Sequence, residues 1–230
     1  MRLSDSPYVD VFAYGMFIAA ILLLPLVMDD PFWLNRIAKY LVFGMLGVAI
    51  ALSWGYAGIL NLGQGLFFGI GAYMVAMSLK LQSYTSLQQG SDKPVPDFML
   101  WNAEPGAPTD LCCIVPGSWI WQPFQAQWFG MVMSVVVPVV ISYILATAIF
   151  RLRVSGVYVA IITLALVLLA RLLLIDAQPL TNGFNGLTDL GWLTVAGIEF
   201  DPYLTATYYI ISVSLSFVLL FALLQISTMA

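Results

Sequence analysis

Six long apolar runs constrain this chain more than any other feature: Tyr8–Met28, Ile37–Trp54, Gln64–Leu81, Phe124–Phe150, Val157–Ile175 and Tyr203–Leu224. A helix rising ~1.5 Å per residue needs about 20 residues to cross the ~30 Å hydrocarbon core of a bilayer, and each run approaches or exceeds that length. Lipid supplies no hydrogen-bond partners, so a spanning segment of this kind must satisfy its backbone internally, as a helix does. The expected fold is all-α, a polytopic transmembrane helical bundle of about six spans, in one domain over 1–230. Composition agrees: 61% of residues are hydrophobic and 9% charged, against roughly 45–50% and about 25% in soluble domains.

The first run follows Arg2 and raises the question of a signal peptide. It is longer than an ordinary h-region, and Leu26-Val27-Met28 is a poor small-residue cleavage site, so it is read as a helix. The net charge of −4 comes from acids in the connections, where hydration explains them, and no basic or nucleic-acid partner is expected. There is no histidine, and the two cysteines, Cys112 and Cys113, are adjacent, which leaves no disulfide framework and no metal motif. Neither a metal nor a cofactor is expected.

Two connections are long, Gln82–Pro123 and Asp176–Pro202, and both are rich in turn formers and aromatic residues. Trp101, Trp119, Trp121 and Trp128 mark the first as packed or interfacial, so 82–123 is expected to form an extracytoplasmic loop or a small cap within the domain. With six crossings, both long connections lie on one side. Cation counts do not orient the bundle, because Arg2, Arg151 and Arg153 stand against Arg36, Lys39, Lys80 and Lys93. The short Arg151–Gly156 connection is dense in arginine, which places both ends of the segment in the cytoplasm.

The spans are nearly bare of ionisable groups, whereas ion-coupled carriers place such groups inside the membrane. Arg171, five residues before Asp176, reads as a snorkelling residue whose head reaches water or a nearby carboxylate. No nucleophile and base pair is offered, and an enzyme is not expected.

The densest unusual stretch is Gly55–Tyr73, with glycine at 55, 58, 63, 65, 69 and 71. Gly65 and Gly69 have the small-xxx-small spacing that lets helices approach closely, and Gly71 extends that surface. Gly55, Gly58 and Gly63, with polar Asn61 and Gln64, break the helix between the second and third runs. Backbone freed in this way is tolerable only against protein or water, and such breaks often line transport routes. Packing alone, or packing with a pathway role for Asn61 or Gln64, are both open. A second punctuated stretch joins Thr181, Asn182, Gly183, Asn185 and Gly186; turn chemistry explains it, or its amides face a small solute or a docking partner. Thr163, the sole aliphatic hydroxyl of the fifth run, is expected to bond back to a helix carbonyl.

The glycine-rich stretch ending in Phe67-Phe68-Gly69-Ile70-Gly71-Ala72-Tyr73 resembles the signature of the branched-chain amino acid ABC permeases. The order of the other motifs agrees, since Arg151-Leu152-Arg153 to Ile161-Ile162-Thr163-Leu164-Ala165 resembles that family's arginine-to-threonine segment, and Thr181–Leu187 resembles its T-x-G-x-x-G-L loop. The wording of Ala51–Gly65, with Phe98, Trp101 and Asn102, looks most like the urea-uptake branch. The resemblance implies a permease subunit of an ABC importer in the bacterial inner membrane, moving urea or a branched-chain amino acid by alternating access. It implies a related permease as heterodimer partner, separate ATP-binding cassette ATPase subunits and a periplasmic solute-binding protein. It also implies that family members continue past residue 230 through a coupling loop, so the segment is expected to be C-terminally incomplete. Bare helices fit a scheme in which energy comes from elsewhere, and Asn61, Gln64 and Thr163 are the candidate pathway residues. A passive channel for a small neutral solute and a structural subunit with no pathway are the alternatives.

Overall fold

The computed structural model describes residues 7–83, 119–151, 154, 156–176, 181, 183–195 and 197–229. Most of the 82–123 connection, with Cys112 and Cys113, lies outside the described residues, as do Arg2, Arg153 and Asn182. Among the described residues the long helices are α1 Pro7–Leu23, α2 Pro31–Ala57, α3 Gln64–Ser83, α4 Gln127–Arg151, α5 Val157–Asp176 and α6 Thr205–Met229. Two short strands, β1 Leu193–Val195 and β2 Ile198–Phe200, pair as a hairpin between α5 and α6. Five helices, α2 to α6, are long and apolar enough to cross a bilayer. The first of the six expected runs forms α1, which continues as a 3-10 turn over Leu24–Leu26.

Described residues fall into two compact units, Met1–Asn61 with Val195–Ala230, and Leu62–Thr194. In the first unit, Leu34, Ala38 and Leu41 of α2 and Tyr208, Leu215 and Leu219 of α6 share one core with Ile21. Spacings of three, four and seven residues lay each set along one helix face. Proline at 25 has no N–H, so it cannot bond the Ile21 carbonyl four residues earlier. The Tyr208 hydroxyl donates to that same carbonyl at 2.8 Å. A neighbouring helix thereby satisfies a backbone group that lipid cannot.

The start of α2 lies six residues before the hydropathy run. Asp30 accepts a hydrogen bond from the Phe32 N–H at 3.0 Å, and Pro31 occupies the first turn, where its missing N–H costs nothing. Arg36 and Lys39 interrupt the apolar pattern there without interrupting the helix.

In the second unit α3 packs most closely on α4, and the contact is set by absent side chains. A Cβ on Gly130 would lie 2.5 Å from Ser78 Cβ and 3.0 Å from the Met74 carbonyl oxygen. A Cβ on Gly71 would lie 2.8 Å from the Ser134 carbonyl oxygen, the acceptor that Pro138 inside α4 leaves without its usual N–H. Ser78 Oγ sits 2.6 Å from the Phe124 carbonyl and 3.1 Å from that of Ala126, sharing its one proton between them. Met77, Leu81 and Trp121 form a small core over this end of the pair. Of the tryptophans expected to be packed or interfacial, Trp121 is buried and Trp119 and Trp128 are exposed.

Most large apolar side chains of α4 and α5 face outward. In water that would be a liability, whereas in a bilayer it is the surface that lipid covers.

Candidate functional site

The glycine-rich break lies between Ala57 and Gln64, so Gly58 and Gly63 fall in it as expected, whereas Gly55 lies inside α2, whose helix runs on to Ala57. Gly58 takes a left-handed conformation at φ 62° and closes α2, its N–H bonding the Trp54 carbonyl at 3.1 Å. Ser53 Oγ donates to the Ile59 carbonyl at 3.1 Å, and helix resumes at Gln64. Leu62 is the next backbone group that needs a partner. Its N–H donates to Thr163 Oγ1 at 3.2 Å, and the same hydroxyl donates to the Ala160 carbonyl at 3.1 Å.

Thr163 is buried and lies six residues inside α5, so the break is held within the span rather than at its edge. Its hydroxyl is committed in both directions, to its own helix and to the break. That arrangement makes it a pin for the irregular segment, where unsatisfied backbone would be costly. Thr163→Val is expected to destabilise the protein by about 1–3 kcal/mol, the cost of leaving a buried donor unpaired, while Thr163→Ser stays close to wild type. Thermal unfolding in detergent measures both.

Along α3 the glycines divide. Gly71 is a contact residue, as its approach to Ser134 shows, but a Cβ on Gly55, Gly65 or Gly69 would meet nothing within 4 Å. Gly65 and Gly69 therefore do not bring helices together within this chain. They line a cleft of about 340 Å³ together with Leu66 and Ile70, facing Val167, Ala170, Arg171 and Leu174 of α5. Gly183 and Phe184, from the punctuated loop, close one end of it. Arg171, which the sequence presents only as a snorkelling residue, supplies the one formal charge among the lining side chains.

The loop is anchored on the far end of α3. Lys80, only 4% exposed, donates through Nζ to the Thr188 carbonyl at 2.7 Å, and Ser83 Oγ donates to the Asp189 carbonyl at 3.1 Å. Gln127 Nε2 donates to Gln82 Oε1 at 2.7 Å and to the Trp192 carbonyl at 3.1 Å, while its Oε1 accepts from the Thr194 N–H at 2.8 Å. Thr181 Oγ1 donates to the Leu174 carbonyl at 2.5 Å and accepts from the Gly183 N–H at 3.2 Å. Gly183 and Gly186 have φ of 34° and 69°, which explains glycine at both places. Asn185 is exposed. The start of α3 and the loop residues thus reach one cleft, and Gln64, half-buried at the first position of α3, is not among the residues that line it. Asn61 is half-buried at the end of the other unit.

Sequence reasoning missed Gly130, Ser78 and Lys80. Gly130 stands alone in an apolar run, and Lys80 reads as one more interfacial cation.

Five apolar helices of spanning length among the described residues, with a glycine-rich break between α2 and α3, define a helical membrane protein. The profile of the family described as branched-chain amino acid transport system / permease component matches residues 32–228, and the chain belongs to that family. It is 26% identical over 184 residues to the high-affinity branched-chain amino acid transport system permease protein LivM of Salmonella typhimurium, covering 78% of this chain and 33% of that protein. To the LivM protein of Escherichia coli K12 it is 27% identical over 191 residues, covering 81% and 34%. The chain therefore spans about a third of the length of these relatives. No solved structure matches it.

Proposed function

We propose that this chain forms membrane-spanning structure of a permease subunit in an ATP-driven importer, with a branched-chain amino acid as solute. The observation that carries the reading is the cleft between α3 and α5, which Arg171 lines together with apolar side chains. A guanidinium suits a carboxylate, and Leu66, Ile70, Val167 and Leu174 suit a branched aliphatic side chain. Its volume lies at the small end of the range of about 300–1,000 Å³ for small-molecule sites.

In this reading Asn61, Gln64 and Thr163 are the candidate pathway residues, Thr163 also fixing Leu62, and Thr181, Gly183, Asn185 and Gly186 belong to the outer loop motif. Asn182 belongs to the same motif. The partners are a related permease, ATP-binding cassette ATPase subunits and a periplasmic binding protein, assembled in a bacterial inner membrane. The chain works as a transport subunit and not as an enzyme. A second reading, urea as solute, rests on the wording of Ala51–Gly65. Urea has no carboxylate for Arg171, which is why the amino acid is preferred.

The test is uptake into vesicles carrying the assembled transporter, with labelled leucine against labelled urea. ATP-dependent leucine accumulation that requires the binding protein supports the proposal. Urea accumulation in its place moves the solute to the second reading, and nucleotide-independent equilibration replaces the importer with a channel.

A further inference from the structure

A second cleft, of about 440 Å³, lies in the first unit and is lined by Phe32, Asn35, Arg36, Lys39, Tyr40 and Phe43 of α2, with Tyr203. It holds two cations and no carboxylate among its lining residues. We propose that this cleft is a binding site for the headgroup of an anionic phospholipid.

The α2 residues recur every three or four positions, so they form one face over the first turns of the helix. With 27 residues α2 is about 40 Å long, which exceeds the ~30 Å hydrocarbon core and leaves its first turns at headgroup depth. Four aromatic rings surround the two cations, in the composition that membrane interfaces favour. Phe32, Tyr40, Phe43 and Tyr203 are each more than half exposed, so the aromatic wall faces the bilayer.

Both walls are held in place. The Arg36 guanidinium lies 5.7 Å from the Phe32 ring centroid and 6.0 Å from that of Trp33, which restrains it over the aromatic surface. Tyr203 is fixed by Asp201, whose Oδ1 accepts the Tyr203 N–H at 2.9 Å while its carbonyl accepts from Thr207 Oγ1 at 2.6 Å. The nearest acids in sequence, Asp29, Asp30 and Asp201, do not line the site: Asp30 caps α2 through Phe32, and the Asp201 carboxylate accepts the Tyr203 N–H. A phosphate accepts from Arg36, Lys39 and the Asn35 amide, while Phe43, one turn deeper, meets the acyl region. The aromatic, lipid-facing wall selects a lipid over a soluble anion.

The experiment reconstitutes the full-length, assembled protein in nanodiscs of zwitterionic lipid doped with spin-labelled phosphatidylglycerol, and measures its enrichment at the protein surface against spin-labelled phosphatidylcholine. Each cation near the surface contributes roughly a fivefold preference, so the pair gives about 25-fold at this site. Arg36→Gln with Lys39→Gln is expected to abolish that component, Arg36→Lys with Lys39→Arg to keep it, and Arg151→Gln to leave it unchanged. Both substituted side chains are exposed, and an unchanged melting curve confirms that the double variant is folded. Undiminished preference in the Gln pair overturns the proposal. So does loss of the preference in the presence of millimolar inorganic phosphate at constant ionic strength, which would assign the cleft to a soluble anion.

Discussion

Gly130→Ala is expected to cost about 3 kcal/mol of stability, the upper end of the range for overpacking a close contact, and Gly130→Val to prevent folding. The sign follows from two opposed effects. Alanine in a helix interior is favoured over glycine by about 1 kcal/mol, so every such substitution begins with a gain. At Gly130 the new Cβ meets Ser78 Cβ at 2.5 Å and the Met74 carbonyl at 3.0 Å, and neither is the flexible end of a side chain. Ser78 cannot swing away without releasing the Phe124 and Ala126 carbonyls. The steric effect therefore wins. Gly71→Ala behaves in the same direction, since the Ser134 carbonyl at 2.8 Å is backbone beside Pro138.

Gly65→Ala and Gly69→Ala provide the contrast. No atom stands within 4 Å of either Cβ, so the propensity gain is unopposed and the melting temperature is unchanged or rises. Thermal unfolding of the four variants in one detergent ranks them. A ranking that puts Gly69→Ala below Gly130→Ala would mean that close packing in this chain runs through the 65–69 spacing after all.

That contrast shows what the sequence reveals and what it hides. Apolar runs of spanning length announce helices because lipid leaves the backbone no alternative, and α2 to α6 appear in the expected order. The break at 58–63 was legible because glycine and asparagine at those positions favour turn geometry wherever the chain goes. Motif spacing, however, states only which residues share a helix face. It does not state which face meets a neighbour, so Gly65 and Gly69 looked like contact residues while Gly130, which stands alone in an apolar run, did not. Thr163 was read as bonded to its own helix, and it is, but its second bond goes to Leu62, 101 residues away. Arg171 illustrates the same limit: its place near the end of α5 is clear from the sequence, but not that it lines a cleft with Gly65 and Gly69 of α3.

Lys80 is the furthest case, and its replacement is expected to have the second large effect. The side chain sits in the last turn of α3, 4% exposed, and donates to the Thr188 carbonyl 108 residues on in the chain. A cation at a helix C-terminus is favoured by the helix dipole, and a hydrogen bond from a charged donor contributes about 1.5–3 kcal/mol. Against this stands the desolvation of the ammonium, which methionine would relieve. Lys80→Met keeps the stem's volume and removes the donor, so it isolates the hydrogen bond, and a loss of about 1–2 kcal/mol is expected. Lys80→Ala removes the stem as well and is expected to cost about 3–4 kcal/mol, in the range for emptying a buried aliphatic site. The consequence extends to the loop, because Asp189 next door holds φ 51°, a conformation unusual for a residue other than glycine, and depends on its neighbours to stay there. Freed of Lys80, the 188–192 segment should become a site of limited proteolysis at temperatures where the helices remain intact. Uptake should fall with it, since this loop continues into Gly183 and Phe184 at the cleft. If Lys80→Met instead melts with wild type and resists protease, desolvation has cancelled the bond, and the loop is held by Ser83, Gln127 and the close approach of Gly191 to Ser83.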